Sequence, residues 1–202
     1  KSIDKLTVID GFSISSGFAS GSSEYGSGGG LYCAGSGNGH ACSPTLANLI
    51  FELSRALNNG GGIYNDGSND GLSSPTLQDV IFISNSADAN GGGMYNNGSD
   101  GRSSPRLLRV KLYSNSASGI GGGMYNNGSN GGGSSPSLTD VLFDENYGPT
   151  GGGMYNDGAA DGISSPILIN VLFDENISLT GGGMYNNGST GESSPRLTNV
   201  TF

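Results

Sequence analysis

The chain has no tryptophan, one histidine, two cysteines and only 12% charged residues among its 202. Eight basic residues face 17 acidic ones, for a net charge of −9. That balance excludes the basic face on which nucleic acid is held. No apolar run approaches the ~18 residues of a membrane-spanning helix, so membrane insertion is not expected. No segment shows helical periodicity, and 39 glycines with 7 prolines interrupt every stretch long enough to form a helix bundle. A chain this rich in glycine would be read as disordered if its composition had no period.

It has a period. Glycine triplets start at Gly28, Gly60, Gly91, Gly121, Gly151 and Gly181, spaced by 32, 31, 30, 30 and 30 residues. Each is followed by an aliphatic residue and a tyrosine, as in Leu31-Tyr32, Ile63-Tyr64 and Met94-Tyr95. A polar loop and a Ser-Pro come next, and then apolar residues at alternating places, as in Leu77, Val80 and Phe82 or Leu168, Val171 and Phe173. A seventh, earlier copy survives as Ile9, Phe12 and Ile14. No unit has enough apolar residues for its own core. Stacked units share one, which is the solenoid solution. The alternation has the period of a strand. Three strand candidates per unit, all running the same way, predict an all-β fold: a right-handed parallel β-helix of six to seven coils of about 30 residues. It forms a single domain over 1–202, with an incomplete first coil over 1–27 and six repeats over 28–202.

The Gly-Gly-Gly-Met-Tyr block, together with Phe82-x-x-Asn85, Phe143-x-x-Asn146 and Phe173-x-x-Asn176, resembles the GGA[ILV] and FxxN repeats of chlamydial polymorphic outer-membrane proteins. It is also similar to a broader group of bacterial surface proteins with right-handed parallel β-helix repeats. The opening Val8-Ile9-Asp10-Gly11-Phe12-Ser13-Ile14 resembles the first coil of such domains. The resemblance covers nearly the whole chain and implies an extracellular passenger or adhesin-like module.

Within a coil, the aliphatic residue before each tyrosine is expected to point inward and the tyrosine outward, with the opposite phase, tyrosine inward, as the alternative. Tyr32, Tyr64, Tyr95, Tyr125, Tyr155 and Tyr185 then form a file at the ~4.8 Å spacing of paired strands. Such a file is either a strip that binds glycan or protein, or cross-strand stacking that only stabilises the sheet. Two asparagine columns are expected to form amide ladders: Asn85, Asn115, Asn146 and Asn176, and Asn65, Asn96, Asn126, Asn156 and Asn186. Cys33 occupies the asparagine place of the first full coil. Cys33 and Cys42 flank a short loop and are read as a disulfide, which places the protein in an oxidising, extracytoplasmic compartment.

Asp66, Asp70, Asp157 and Asp161 lie in loops that look like calcium loops, because hard cations want several oxygen ligands. The competing reading is ordinary turn chemistry, since other copies of the loop carry no carboxylate. No other cofactor is expected. Arg109 is expected between Asp79 and Asp140 on an outward face. Asp144 and Asp174 are expected to stack, and a carboxylate pair could serve glycoside hydrolysis. Duplication of the repeat explains the pair without catalysis and is the favoured reading. The residue between each valine and phenylalanine faces outward, and Ile50, Ile81, Leu142 and Leu172 make it a mostly apolar stripe, a candidate contact surface.

These observations support two functions. One is a non-enzymatic extracellular or cell-surface structural or adhesive module. Its partners would be other copies of itself, other surface proteins or glycans. The open strand edges at both ends suit either a segment of a longer surface protein or copies stacked end to end into fibres. The other is a carbohydrate-binding or polysaccharide-degrading β-helix protein, a lyase or glycoside hydrolase. Ice binding would need outward threonine columns, and Thr201 alone stands in the outward column.

Overall fold

A computed structural model describes residues 2–202. Its paired strands are all parallel, and helix is confined to one short 3-10 turn at Ser23–Gly26. The architecture is a parallel β-solenoid of about six turns, each about 30 residues long. Each turn begins with the Met-Tyr strand, which forms a six-stranded sheet from Leu31–Ala34, Ile63–Asp66, Met94–Asn97, Met124–Asn127, Met154–Asp157 and Met184–Asn187. A second sheet holds the strand after Ser-Pro, such as Thr76–Gln78, and the Val-x-Phe strand, such as Ile81–Ile83. The last turns fuse these two into single strands, Ser137–Asp144, Ile167–Asp174 and Arg196–Thr201. A third, four-stranded sheet of two-residue strands (Phe18–Ala19, Arg55–Ala56, Ser86–Ala87, Ser116–Ala117) is not signalled by the apolar pattern. Two residues are too few to show an alternation, and their inward members are alanines.

The register is residue on homologous residue. Met94 pairs with Met124, Met124 with Met154, and Met154 with Met184. The core is therefore a set of columns. Leu46, Leu77, Leu107, Leu138 and Leu168 form one, and Ile63, Met94, Met124 and Met154 face them, all fully buried. Phenylalanine rings stack at 5.0 Å for Phe51 on Phe82 and at 4.7 Å for Phe143 on Phe173, with Leu112 interrupting the file.

The bend between the two halves of the second sheet's strands, fused or separate, needs left-handed backbone. Asn48, Asp79, Arg109, Asp140, Asn170 and Asn199 all turn the chain at φ of 50–56°. Asparagine and aspartate bear that conformation best among residues with side chains, which accounts for five of the six. Arg109 is the exception. It forms a two-pronged ion pair with Asp79, Nε to Oδ1 at 2.7 Å and Nη2 to Oδ2 at 2.8 Å. At the next corner Leu53, Ser84, Ser114, Glu145 and Glu175 are left-handed. The asparagine that follows at Asn85, Asn115, Asn146 and Asn176 is the residue type that suits an unusual turn angle. It has ordinary backbone instead, and its side chain is turned inward.

Each glycine of the triplet answers a different requirement. Gly91 has φ of 65°. A Cβ on Gly92 would strike the Ser116 carbonyl of the next turn, so the backbones themselves touch there. The third glycine lies under the core: a Cβ on Gly62 would come within 2.8 Å of the Phe82 ring. Gly133 has open space where a Cβ would go and no positive φ. Gly92→Ala should therefore lower stability by about 1–3 kcal/mol through forced backbone displacement. Gly133→Ala should be neutral or slightly stabilising. Urea denaturation of the two variants side by side checks this, and equal effects would contradict the assigned contact.

Candidate functional site

Tyrosine and the residue two places on share the outer face of the Met-Tyr sheet, because side chains alternate along a strand. The six rings stand in file, with successive centroids 5.1, 5.1, 4.7, 5.3 and 5.0 Å apart. The file is less open than an outward binding strip requires. Tyr64, Tyr95, Tyr125 and Tyr155 are only 6–9% exposed, and Tyr32 and Tyr185 at the two ends are half-buried. Each inner ring is sandwiched by its neighbours, and Ile120 packs against the file. Tyr64 on Tyr95 and Tyr155 on Tyr185 are stacked, whereas Tyr125 stands edge-on to both of its neighbours.

Beside the rings runs a column of carboxylates and amides: Asp66, Asn97, Asn127, Asp157 and Asn187. The Tyr32, Tyr64, Tyr95 and Tyr125 phenols each bond the member in the following turn. Tyr32 donates to Asp66 Oδ2 at 2.8 Å, and Tyr125 donates to Asp157 Oδ2 at 2.8 Å. Asn97 and Asn127 instead donate from Nδ2 to the Tyr64 and Tyr95 oxygens at 3.0 and 3.2 Å. Burial holds the Tyr64, Tyr95 and Tyr125 phenols well above their ordinary pKa. Nearby Asp66 adds to the effect at Tyr64, and Tyr95 and Asp157 add to it at Tyr125. A cleft of about 330 Å³ opens beside Tyr32, Tyr64, Asp66 and Asn97.

The loops expected to hold calcium are these same loops. The Asp66 carboxylate already accepts from Tyr32, from the Ser68 hydroxyl at 2.7 Å and from Asn97 Nδ2 at 3.2 Å. Asp157 accepts from Tyr125, from the Ala159 amide at 3.1 Å and from Asn187 Nδ2 at 2.9 Å. Donors from the same turn and from neighbouring turns surround both groups. Asp70 and Asp161 are exposed at left-handed turn positions, both at φ of 60°. Among the described residues no group of three or more His, Cys, Asp or Glu side chains converges to hold a metal.

Inside the coil, asparagines form the two ladders expected. Asn65 Nδ2 donates to Asn96 Oδ1, Asn96 to Asn126, Asn126 to Asn156 and Asn156 to Asn186, each at 2.8 Å. Asn85, Asn115, Asn146 and Asn176 make the second, at 2.9–3.0 Å. A third ladder lies at the Ser-Ser before each proline. The Ser103, Ser134 and Ser164 hydroxyls donate to the carbonyls of Ser73, Ser103 and Ser134 at 2.8–3.0 Å. The repeated Ser-Ser-Pro is its signal in the sequence, although the proline alone announces no more than the start of a strand.

Both cysteines interrupt ladders. Cys33 stands in the Asn65 column and Cys42 in the Ser73 column, and the two form a disulfide with Cα atoms 5.5 Å apart. In later coils the serine hydroxyl bridges these columns, as Ser103 does to the Asn65 carbonyl at 3.3 Å. In the first coil a covalent bond replaces it. The substitution leaves Asn65 Oδ1 buried without a partner.

Outside the coil, Ile50, Ile81, Lys111, Leu142, Leu172 and Thr201 form one file across the second sheet. Ile50, Ile81 and Leu142 are half-buried and Leu172 is exposed. Ile167 and Ile169 are exposed on the same face, widening the apolar surface towards the last coils. Asp144 lies in register with Asp174. Partial burial, then Asp174 and then Glu145, push the Asp144 carboxyl above its ordinary range. Comparison with protein families, with curated proteins and with solved structures finds no match for the chain.

The columns make the first coil and Asp144 open to test. Reducing the disulfide should lower the local stability of the first coil by about 2–3 kcal/mol, the value for a short closed loop. Cys33→Asn with Cys42→Ser restores both ladders and should be more stable than Cys33→Ala with Cys42→Ala by about 1–3 kcal/mol, because Asn65 Oδ1 regains a donor. Hydrogen exchange of the Leu31–Ala34 and Ile63–Asp66 strands reads both differences. At Asp144 the folded pKa is raised, so ionising it costs stability as pH rises through that value. Asp144→Asn should therefore stabilise at neutral pH, with the gain vanishing at acid pH where the wild-type carboxyl is protonated. Melting curves of the two proteins from about pH 3 to about pH 8, a span that brackets carboxyl titration, test the sign.

Proposed function

We propose that the chain is a non-enzymatic extracellular module of a bacterial-type surface protein, structural or adhesive, of the kind the polymorphic outer-membrane repeats represent. The observation that carries this reading is where the polar side chains go. Asparagines, serines and the Asp66 and Asp157 carboxylates are bonded from coil to coil, leaving a stiff rod whose variation is confined to its outer faces. The disulfide suits an oxidising compartment. Among the described residues no helix is long and apolar enough to cross a membrane. The outer file through Ile50, Ile81, Leu142 and Leu172 is the surface on which copies, other surface proteins or glycans would rest.

The polysaccharide-degrading alternative draws on a single feature, the Asp144 and Asp174 carboxyls in register with a raised pKa on Asp144. A fold alone does not choose between these functions. Incubation with a panel of acidic and neutral polysaccharides separates them. The structural reading expects no new reducing ends and no unsaturated products. Chain cleavage that disappears in Asp144→Asn would establish the enzyme instead.

A further inference from the structure

The tyrosine file has a chemistry that a surface module does not require, and it is independent of the role just proposed. Phenol is the most readily oxidised side chain in the file. A phenol radical cation is strongly acidic, so at neutral pH the electron leaves easily only where a base can take the proton with it. Two of the six tyrosines have such a base in contact. The Tyr32 hydroxyl donates to Asp66 Oδ2 and the Tyr125 hydroxyl to Asp157 Oδ2, both at 2.8 Å. Tyr64 and Tyr95 instead accept from the amides of Asn97 and Asn127, which cannot take a proton. Burial suppresses prior ionisation of Tyr64, Tyr95 and Tyr125, so phenolate is not an alternative route. Every ring lies within 5.3 Å of the next, centroid to centroid, close enough for an electron vacancy to pass from ring to ring. The 330 Å³ cleft beside Tyr32 and Asp66 gives a small molecule access to the first of the two pairs.

We propose that the tyrosine file is a site of proton-coupled one-electron oxidation, acting on one-electron oxidants that reach the protein surface. The oxidant accepts one electron from a ring. The O–H bond of Tyr32 or Tyr125 breaks, and its proton moves to Oδ2 of Asp66 or Asp157. A neutral tyrosyl radical and a neutral carboxylic acid remain. A vacancy formed first on Tyr64, Tyr95, Tyr155 or Tyr185 travels along the file until it reaches one of these two pairs.

The repeat supplies a clean variant, since Asn97, Asn127 and Asn187 show that asparagine fits the acceptor column. The probe is ruthenium tris(bipyridyl), flashed with pentaamminechlorocobalt(III) as electron sink, with freeze-quenched electron paramagnetic resonance and peptide mapping as readouts. The wild-type chain should give a tyrosyl radical on the file. Its yield should fall several-fold in Asp66→Asn with Asp157→Asn, while circular dichroism stays unchanged. Equal yields in the two proteins would overturn the proposal. So would oxidation confined to Tyr25, Tyr113 and Tyr147, which lie outside the file. Should the double asparagine variant unfold, Tyr32→Phe with Tyr125→Phe takes its place. Loss of most of the radical supports the assignment, and an unchanged signal rejects it.

Discussion

Successive coils are hydrogen-bonded to one another through their backbones, in parallel and in register, and this pairing governs where each side chain goes. The triplet carries it around a tight corner. Gly60, Gly61 and Gly62 donate to the carbonyls of Asn90, Gly91 and Gly92, and the same step repeats at Gly91–Gly93, Gly121–Gly123 and Gly151–Gly153. Stacked strands lie ~4.8 Å apart, so a residue's nearest neighbour is its own homologue one turn away. Only side chains that tolerate a copy of themselves at that distance can occupy a column. Leucine, methionine and phenylalanine do so by dispersion. Asparagine does so because its amide is both donor and acceptor, and a file of amides satisfies itself. Carboxylates do not: at Asp144, Asp174 one turn away adds to partial burial in pushing the carboxyl above its ordinary range.

A self-satisfying file still has ends. In the Asn65 column each amide donates towards the C-terminal side, so its first member has an acceptor that no other asparagine serves. The Asn85 column avoids this, because the Ser54 backbone amide donates to Asn85 Oδ1 at 3.1 Å. The disulfide joins Cys33 and Cys42 in the same turn where the first ladder and the serine ladder both lack their usual member. A buried unsatisfied carbonyl costs about 1–3 kcal/mol, similar to what closing a short loop contributes. The cross-link therefore stabilises the coil where non-covalent bonding is weakest.

The repeat made the architecture legible. The period, the inward Leu, Val, Phe and Met columns and both asparagine ladders are all visible in the sequence, because in-register stacking turns a periodic sequence directly into columns. What was hidden depended on the distance between backbone and side chain. Nothing in the spacing of Tyr64, Tyr95, Tyr125 and Tyr155 tells how far outward rings bury one another, and here they are nearly fully buried. The loops of Asp66 and Asp157 are rich in oxygen, and their spacing gives no sign of the phenols that these carboxylates accept from. Their actual partners, Tyr32 and Tyr125, are more than thirty residues away in sequence. The left-handed residue lies one position before the asparagine that suits it, since Leu53 and Glu145 are not residues whose chemistry announces φ above zero.

The same geometry divides the surface into two kinds of face. On the Met-Tyr sheet the outer columns are nearly invariant from coil to coil, with tyrosine in one and aspartate or asparagine in the next. On the second sheet the outer columns mix residue types from turn to turn. One runs through Ile50, Ile81, Lys111, Leu142, Leu172 and Thr201, and its neighbour through Thr45, Thr76, Arg106, Ser137, Ile167 and Arg196. A column that must satisfy its own hydrogen bonds or stack its own rings is held to a few residue types. A column open to solvent is not, so it can vary without cost to the coil. The second sheet therefore presents a surface that differs from place to place along the solenoid, whereas the tyrosine face repeats nearly the same side chains from coil to coil.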